Sequence, residues 1–120
     1  MDNLPVEVGL DNFDEEVLAA REPVLVDFWG PSCVPCLALM PFVAELSQSC
    51  RGRLKVAKVD ASHNRRLCIN LKVMSLPTFL LFVGGQEVNR LTGDVKKQAI
   101  IDSVRSILVS EGGGNGSTEG

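Results

Sequence analysis

The chain has 120 residues, of which 45% are hydrophobic, a length that allows one domain with a single core but not two of ordinary size. Its 12 Lys and Arg residues are scattered among 15 acidic residues, giving a formal net charge of −3 and no basic surface for nucleic acid or an acidic membrane. Because the sequence shows neither a signal-peptide pattern nor an apolar run of membrane-spanning length, we expect a cytoplasmic protein that binds neither.

The first half of the chain predicts two strands and two helices. Residues 6–8 alternate as in a short edge strand, and residues 11–21 predict a helix with acidic residues in its first turns. Residues 24–29 form a nearly continuous apolar run, which is typical of a central strand covered on both faces. Asp27 is the one charged residue in that run. A turn follows, and a largely apolar helical pattern begins at or just before Cys33.

A third strand is predicted over residues 54–60, which are rich in β-branched residues. By strict alternation, Lys58 shares a face of this strand with Leu54 and Val56. If that face points inward, Lys58 needs an anion, and Asp27 is the candidate.

The second half of the chain completes an alternating layout. Its predicted elements are a short helix over roughly residues 63–70 capped by Ser62, a strand over residues 76–83, a turn at Gly84 and Gly85, a returning strand over residues 86–91 and an amphipathic helix after Asp94. The order is β-α-β-α-β-α-β-β-α. We predict a domain over residues 1–110 and a flexible glycine-rich tail over residues 111–120.

Cys33 and Cys36 stand three residues apart at the predicted helix start, so that their side chains lie on one face of its first turn. This spacing allows the pair to exist as a dithiol or as a disulfide. The unpaired backbone N–H groups and the positive end of the helix dipole favour a thiolate at the first position. The pattern therefore predicts Cys33 as the nucleophile and Cys36 as the resolving thiol. Pro35 is tolerated in the first turn, where its missing N–H would have no intrahelical partner.

The other two cysteines, Cys50 and Cys68, have no motif spacing. We interpret them as buried, inert thiols, with a regulatory or dimer-forming disulfide as the alternative. A metal site that combines them with Cys33 and Cys36 lacks the second closely spaced pair that structural zinc sites commonly use. The single histidine, His63, is interpreted as a solvated residue, and nothing else in the sequence supports a Cys–His protease. We therefore expect neither metal nor cofactor.

Taken together, these motifs resemble the thioredoxin family over roughly residues 6–109. The matching stretches are residues 23–29, 33–36, Pro41, 56–60, 76–82, Gly84, Gly85 and Gly93. The resemblance implies an α/β thioredoxin fold, in which a central mixed sheet of five strands is flanked by four helices. It also implies a cis peptide bond between Leu76 and Pro77 that faces the cysteines.

The resemblance also implies residue roles in thiol–disulfide exchange. Cys36 lies deeper than Cys33, and Asp27 transfers its proton, with Lys58 opposing the rise in the pKa of Asp27 that burial causes. The backbone of Leu76, beside Pro77, is left to pair with a substrate strand. Trp29 and Gly93 are the remaining substrate-binding candidates, and Trp29 packs beneath the active-site loop.

Three positions depart from the usual family string Trp-Cys-Gly-Pro-Cys-Lys. Ser32 replaces a large exposed tryptophan, Val34 adds bulk and stiffness where glycine is usual, and Leu37 removes a lysine charge one turn from Cys33. We expect these changes to alter the redox potential and the choice of partner.

The sequence thus predicts a monomeric thiol–disulfide oxidoreductase that takes part in electron transport to disulfides in partner proteins. A thioredoxin reductase is the expected electron donor. The alternative is a binding or scaffold protein that keeps the fold with little or no redox activity, against which the complete set of Asp27, Cys33, Cys36 and Pro77 argues.

Overall fold

A computed structural model describes the backbone of residues 3–116 and the side chains of residues 3–109. Its centre is a mixed sheet with the strand order β1-β3-β2-β4-β5. The strands are β1 (Val6–Glu7), β2 (Val24–Trp29), β3 (Lys55–Asp60), β4 (Thr78–Val83) and β5 (Gln86–Thr92). The strand β3 runs parallel to both β1 and β2, whereas β4 is antiparallel to β2 and β5. The predicted central position of residues 24–29 is confirmed.

Four helices flank the sheet in the described part of the chain. They are a π-helical segment (Asp14–Leu18), α1 (Val34–Ser49), α2 (Arg65–Asn70) and α3 (Lys97–Gly116), and a 3-10 turn (Ala61–His63) precedes α2. The predicted element order and the five-stranded, four-helix α/β architecture of the thioredoxin fold are therefore confirmed.

Two apolar clusters cover the two faces of the sheet, and the strand β2 contributes to both by alternation. Val24, Val26 and Phe28 pack in a cluster with residues of the π-helical segment and α2. On the opposite face, Leu25 packs with residues of α1 and α3. Asp27 continues the alternation from Leu25, so it lies on the face that α1 covers.

The start of the short helix after β3 differs from the prediction. Asp60, rather than Ser62, is the capping residue: its carboxylate accepts hydrogen bonds from the Ser62 N–H at 2.9 Å and the Ser62 hydroxyl at 2.6 Å. This cap begins the 3-10 turn, and α2 starts only at Arg65. The prediction failed because two capping side chains stand two positions apart, and the Asp60 carboxylate accepts from both the N–H and the hydroxyl of Ser62.

The last helix, α3, extends to Gly116 and so overlaps the segment predicted as a tail from residue 111. Residues 117–120 of that segment lie outside the described residues, and the boundary at residue 110 stays a prediction. No helix in the described part is both long and apolar enough to cross a membrane.

Candidate active site

The candidate site begins where β2 ends and α1 starts. Cys33 is the N-cap residue of α1, with extended backbone angles, and its sulfur accepts the Cys36 N–H at 3.2 Å. The Cys33 N–H donates to the Gly30 carbonyl at 3.1 Å, which closes the turn. Pro35 occupies the first turn of the helix, where no donor is lost.

Cys33 and Cys36 are joined by a disulfide, with 5.2 Å between their Cα atoms. The predicted pairing of these two residues is present. Their environments are unequal: Cys36 is 1% exposed, whereas Cys33 is partly exposed and is flanked by exposed Ser32 and Val34. A partner disulfide can approach the sulfur of Cys33 from outside, while the sulfur of Cys36 faces the interior.

Asp27 lies in β2 and is only 2% exposed. Its neighbours in the sheet are Lys58 on β3 and Phe79 on β4. Burial raises the pKa of Asp27 from 3.8 to about 7, and the positive charge of Lys58 acts in the opposite direction. No hydrogen bond from the described residues reaches the Asp27 carboxyl group, which lines a cavity of about 430 Å³ together with Met40 and Pro41 of α1. The carboxyl group can therefore exchange a proton near neutral pH.

Lys58 lies between two acids in the sheet, because its register partners are Glu7 on β1 and Asp27 on β2. Its Nζ atom is 3.7 Å from Glu7 Oε2 and 5.8 Å from the centre of the Trp29 ring. All three ionisable groups line the same cavity. The direct ion pair of Lys58 is thus with Glu7, and the interaction with Asp27 is through the electrostatic field alone.

The peptide bond between Leu76 and Pro77 is cis, as the resemblance implied. Leu76 immediately precedes this proline and lines the same groove as Cys33. The Leu76 backbone makes no hydrogen bond to any other residue that the structure describes. Its N–H and carbonyl therefore remain available to an incoming strand.

That groove has a volume of about 620 Å³ and opens beside the nucleophile predicted from the sequence. Its lining residues are Gly30, Pro31, Ser32, Cys33, Ala61, Ser62, Arg65 and Leu76. A Cβ added to Gly30 would lie 3.2 Å from a methyl carbon of Leu76, so the two sides of the groove approach closely at that point.

Trp29 and Gly93, the remaining substrate-binding candidates, lie at strand ends. Trp29 ends β2, and its indole N–H is buried with no acceptor among the described residues. Gly93 follows β5 with φ of +89°, a conformation that favours glycine. The hydroxyl of the preceding residue, Thr92, hydrogen-bonds the hydroxyls of Ser75 and Thr78 at 3.0 and 2.9 Å, which fixes this strand end beside Pro77.

The other cysteines lie away from the disulfide. Cys50 and Cys68 are both free and buried, in apolar clusters on opposite faces of the sheet. Burial raises the pKa of the Cys68 thiol. Among the described residues no three His, Cys, Asp or Glu side chains gather as a metal site would require. His63 is exposed and contacts Asp60 Oδ2 through Nδ1 at 3.1 Å.

Two residues that line the site, Glu7 and Arg65, were not identified from the sequence. Glu7 was assigned only to an edge strand, and its contact with Lys58 depends on the parallel register of β1 and β3. Arg65 was part of an unremarkable helix, and its position in the groove depends on how α2 sits beside the active-site loop. A search for charged residues at the ends of neighbouring strands could have suggested Glu7.

Comparison with known proteins agrees with this geometry. The sequence profile of the family described as Thioredoxin matches residues 5–106. A thioredoxin of Peptoclostridium acidaminophilum is 43% identical over 104 residues, which cover 87% of this chain and 94% of that protein. Thioredoxin 1 of Nostoc sp. is 38% identical over 102 residues, covering 85% and 95%. A bifunctional thioredoxin reductase/thioredoxin of Mycobacterium leprae is 37% identical over 103 residues, covering 86% of this chain and 22% of that protein.

Proposed function

Since the chain belongs to the thioredoxin family and is a thiol–disulfide oxidoreductase, we propose that it reduces disulfides of partner proteins with Cys33 as nucleophile and Cys36 as resolving thiol. The observation that carries this assignment is the unequal exposure of the two bonded cysteines. The partly exposed sulfur belongs to the residue at the N-terminus of α1, where backbone N–H groups and the helix dipole stabilise a thiolate.

The exchange proceeds in two steps. In the reduced protein, the Cys33 thiolate attacks one sulfur of the partner disulfide, which forms a mixed disulfide and releases the first partner cysteine as a thiolate. Cys36 then loses its proton and attacks the Cys33 sulfur, which releases the second partner thiolate and forms the Cys33–Cys36 disulfide. Two electrons pass from the dithiol to the partner, and the disulfide seen here is the product state.

Asp27 accepts the proton of Cys36 in the second step, directly or through water. Burial gives its carboxyl group a pKa of about 7, so the group can both accept and return a proton near neutral pH. Lys58 modulates this pKa by favouring the carboxylate. The cavity shared by Asp27, Lys58 and Pro41 supplies room for the proton to exchange with solvent.

A partner segment binds in the extended conformation beside Cys33. The backbone of Leu76, which makes no hydrogen bond to another described residue, offers one donor and one acceptor to it, as in strand addition to a sheet. Pro77 and Gly93 shape the adjoining surface, and Trp29 supports the loop from beneath.

A thioredoxin reductase returns electrons to the disulfide, with no cofactor held by this chain. The name of the Mycobacterium leprae relative, in which reductase and thioredoxin are parts of one protein, supports this pairing. We also propose that the protein is a monomer in the cytoplasm and takes part in electron transport. It binds neither nucleic acid nor membrane, and its domain occupies residues 1–110.

The reduction potential of the Cys33–Cys36 couple is the first test. The protein is equilibrated against glutathione or dithiothreitol buffers, and Cys33→Ser serves as the control that cannot form the disulfide. We expect a reversible two-electron couple at a strongly reducing potential, as a reductant of partner proteins requires. A markedly oxidising couple would instead indicate a disulfide donor, and the absence of a couple would leave a scaffold.

A further inference from the structure

Arg65 is the single charged residue among those that line the groove beside Cys33. It is the first residue of α2 and its side chain is exposed. The other lining residues are small, apolar or carry only a hydroxyl group. A segment that places its cysteine at Cys33 and follows this groove therefore passes close to one positive charge.

The charge of Arg65 is not neutralised within the part of the chain that the structure describes. The Arg65 side chain forms neither a salt bridge nor a hydrogen bond there. Asp60 lies near it in sequence, but its carboxylate accepts from the Ser62 N–H and hydroxyl and contacts His63. The acid next to the groove is thus already engaged, and the guanidinium group remains available to a partner.

From this arrangement we propose that Arg65 is a specificity-determining residue, which selects partner proteins with an Asp or Glu side chain within two residues of the cysteine that Cys33 attacks. This inference rests on the proposed function. A guanidinium group matches a carboxylate with two parallel N–H···O bonds, whereas it repels Lys or Arg at the same place. The backbone of Leu76, which lines the same groove, would hold the partner in the extended form that presents this side chain.

Arg66 provides a matched control. It follows Arg65 in α2 and is also exposed, but it does not line the groove. Successive residues of a helix point in directions about 100° apart, so the two side chains lie in different surroundings. The variants Arg65→Glu and Arg66→Glu change the net charge of the protein by the same amount.

The substrates are disulfide-bonded synthetic peptides of one sequence, in which one position within two residues of the attacked cysteine carries Asp, Asn or Lys. The reduced full-length protein is assayed for kcat/KM with each peptide at low salt and at 0.5 M salt. We expect the wild type to favour Asp over Lys by about fivefold at low salt, as an exposed charge pair allows. The preference should shrink in high salt because exposed charges are screened.

Arg65→Glu should reverse the preference toward Lys, and Arg66→Glu should retain most of the preference for Asp. An equal change in both variants would overturn the proposal, since the effect would then come from net charge rather than from the groove. So would a wild type that does not distinguish the Asp and Lys peptides at any position tested. Turnover of the Asn peptide separates these outcomes from a failure of the proposed function, which would abolish reduction of all three.

Discussion

The two sides of the Cys33–Cys36 disulfide differ in their exposure and in the groups that surround them. On the Cys33 side the surface is open: Val34 is 75% exposed, and the adjoining groove carries the exposed Arg65. On the Cys36 side the sulfur is buried, and α1 continues onto the sheet face that contains Asp27, which is 2% exposed. In the function that we propose, the open side recognises partners and the buried side holds and moves a proton.

This division follows from the position of α1 at the end of β2. The helix begins at the sheet end, where Cys33 meets solvent, and its next turns pack on the sheet face that contains Asp27. Substitutions on the open side should therefore change partner preference, whereas substitutions on the buried side should change rates, stability and their dependence on pH.

The largest effect is expected from exchanging single sulfur atoms for oxygen. Cys33→Ser should lower disulfide reduction by at least about a thousandfold, because the proposed nucleophile is lost. Cys36→Ser should retain the first attack and accumulate a mixed disulfide with the substrate. Mass spectrometry of the protein after incubation with a disulfide peptide distinguishes the two variants. A mixed disulfide that formed in Cys33→Ser and not in Cys36→Ser would reverse the assigned roles.

The next largest effect is expected from Asp27→Asn. The folded-state pKa of about 7 lies above the ordinary value of 3.8, so the folded protein binds the Asp27 proton more tightly than the unfolded chain. Binding of this proton therefore stabilises the fold, and the stabilisation is complete below pH 3.8. It is lost as pH rises through about 7, which lowers the free energy of unfolding by roughly 4 kcal/mol in all. In Asp27→Asn this loss should vanish, so the oxidised variant gains stability over wild type as pH rises from 4 to 8.

Urea denaturation of the oxidised proteins at pH 4, 6 and 8 measures this difference. Asp60→Asn is the matched control: burial raises the pKa of Asp60, but hydrogen bonds from Ser62 and His63 more than offset this and leave it lowered. Asp60 therefore stabilises the fold above its ordinary pKa and loses that contribution as pH falls, the opposite sense to Asp27. If the free energy of unfolding changed equally with pH in wild type and Asp27→Asn, the raised pKa of Asp27 would be contradicted. Resolution of the mixed disulfide in Asp27→Asn should slow by about a hundredfold, because the proposed proton acceptor is lost.

The sequence predicted the buried side of the site better than the open side. Periodicity identifies a charged residue within an apolar run, as at Asp27, and alternation puts Lys58 on a definite strand face. The contact between Lys58 and Glu7 needed the register of two strands about 50 residues apart, which periodicity does not encode. Arg65 was missed because its place in the groove depends on where a six-residue helix packs. The cap at Asp60 was missed because local rules do not rank two capping side chains that stand two positions apart.

A smaller effect, which tests the buried side alone, is expected from Lys58→Met. Removing the positive charge next to Asp27 should raise the pKa of that carboxyl group further, since the opposing charge is gone and burial remains. The pH midpoint of mixed-disulfide resolution should move upward by about one unit. Arg65→Gln serves as the control on the open side, and its midpoint should stay at the wild-type value. A downward shift in Lys58→Met would contradict the assigned role of Lys58.

The smallest effect, and the most specific to this chain, is expected from Glu7→Gln. The Glu7 carboxylate partly neutralises Lys58 across 3.7 Å and adds negative charge to the cavity that Asp27 lines. Without Glu7, the positive charge of Lys58 is no longer shared and acts only on Asp27. The pH midpoint of mixed-disulfide resolution should therefore move downward, in the opposite direction to that in Lys58→Met. Because the Glu7 side chain is 70% exposed, solvent limits the shift to a few tenths of a unit. When Glu7→Gln is combined with Lys58→Met, its effect on the pH midpoint should shrink, because most of that effect acts through Lys58. A shift of the same size in both backgrounds would mean that Glu7 acts on Asp27 directly.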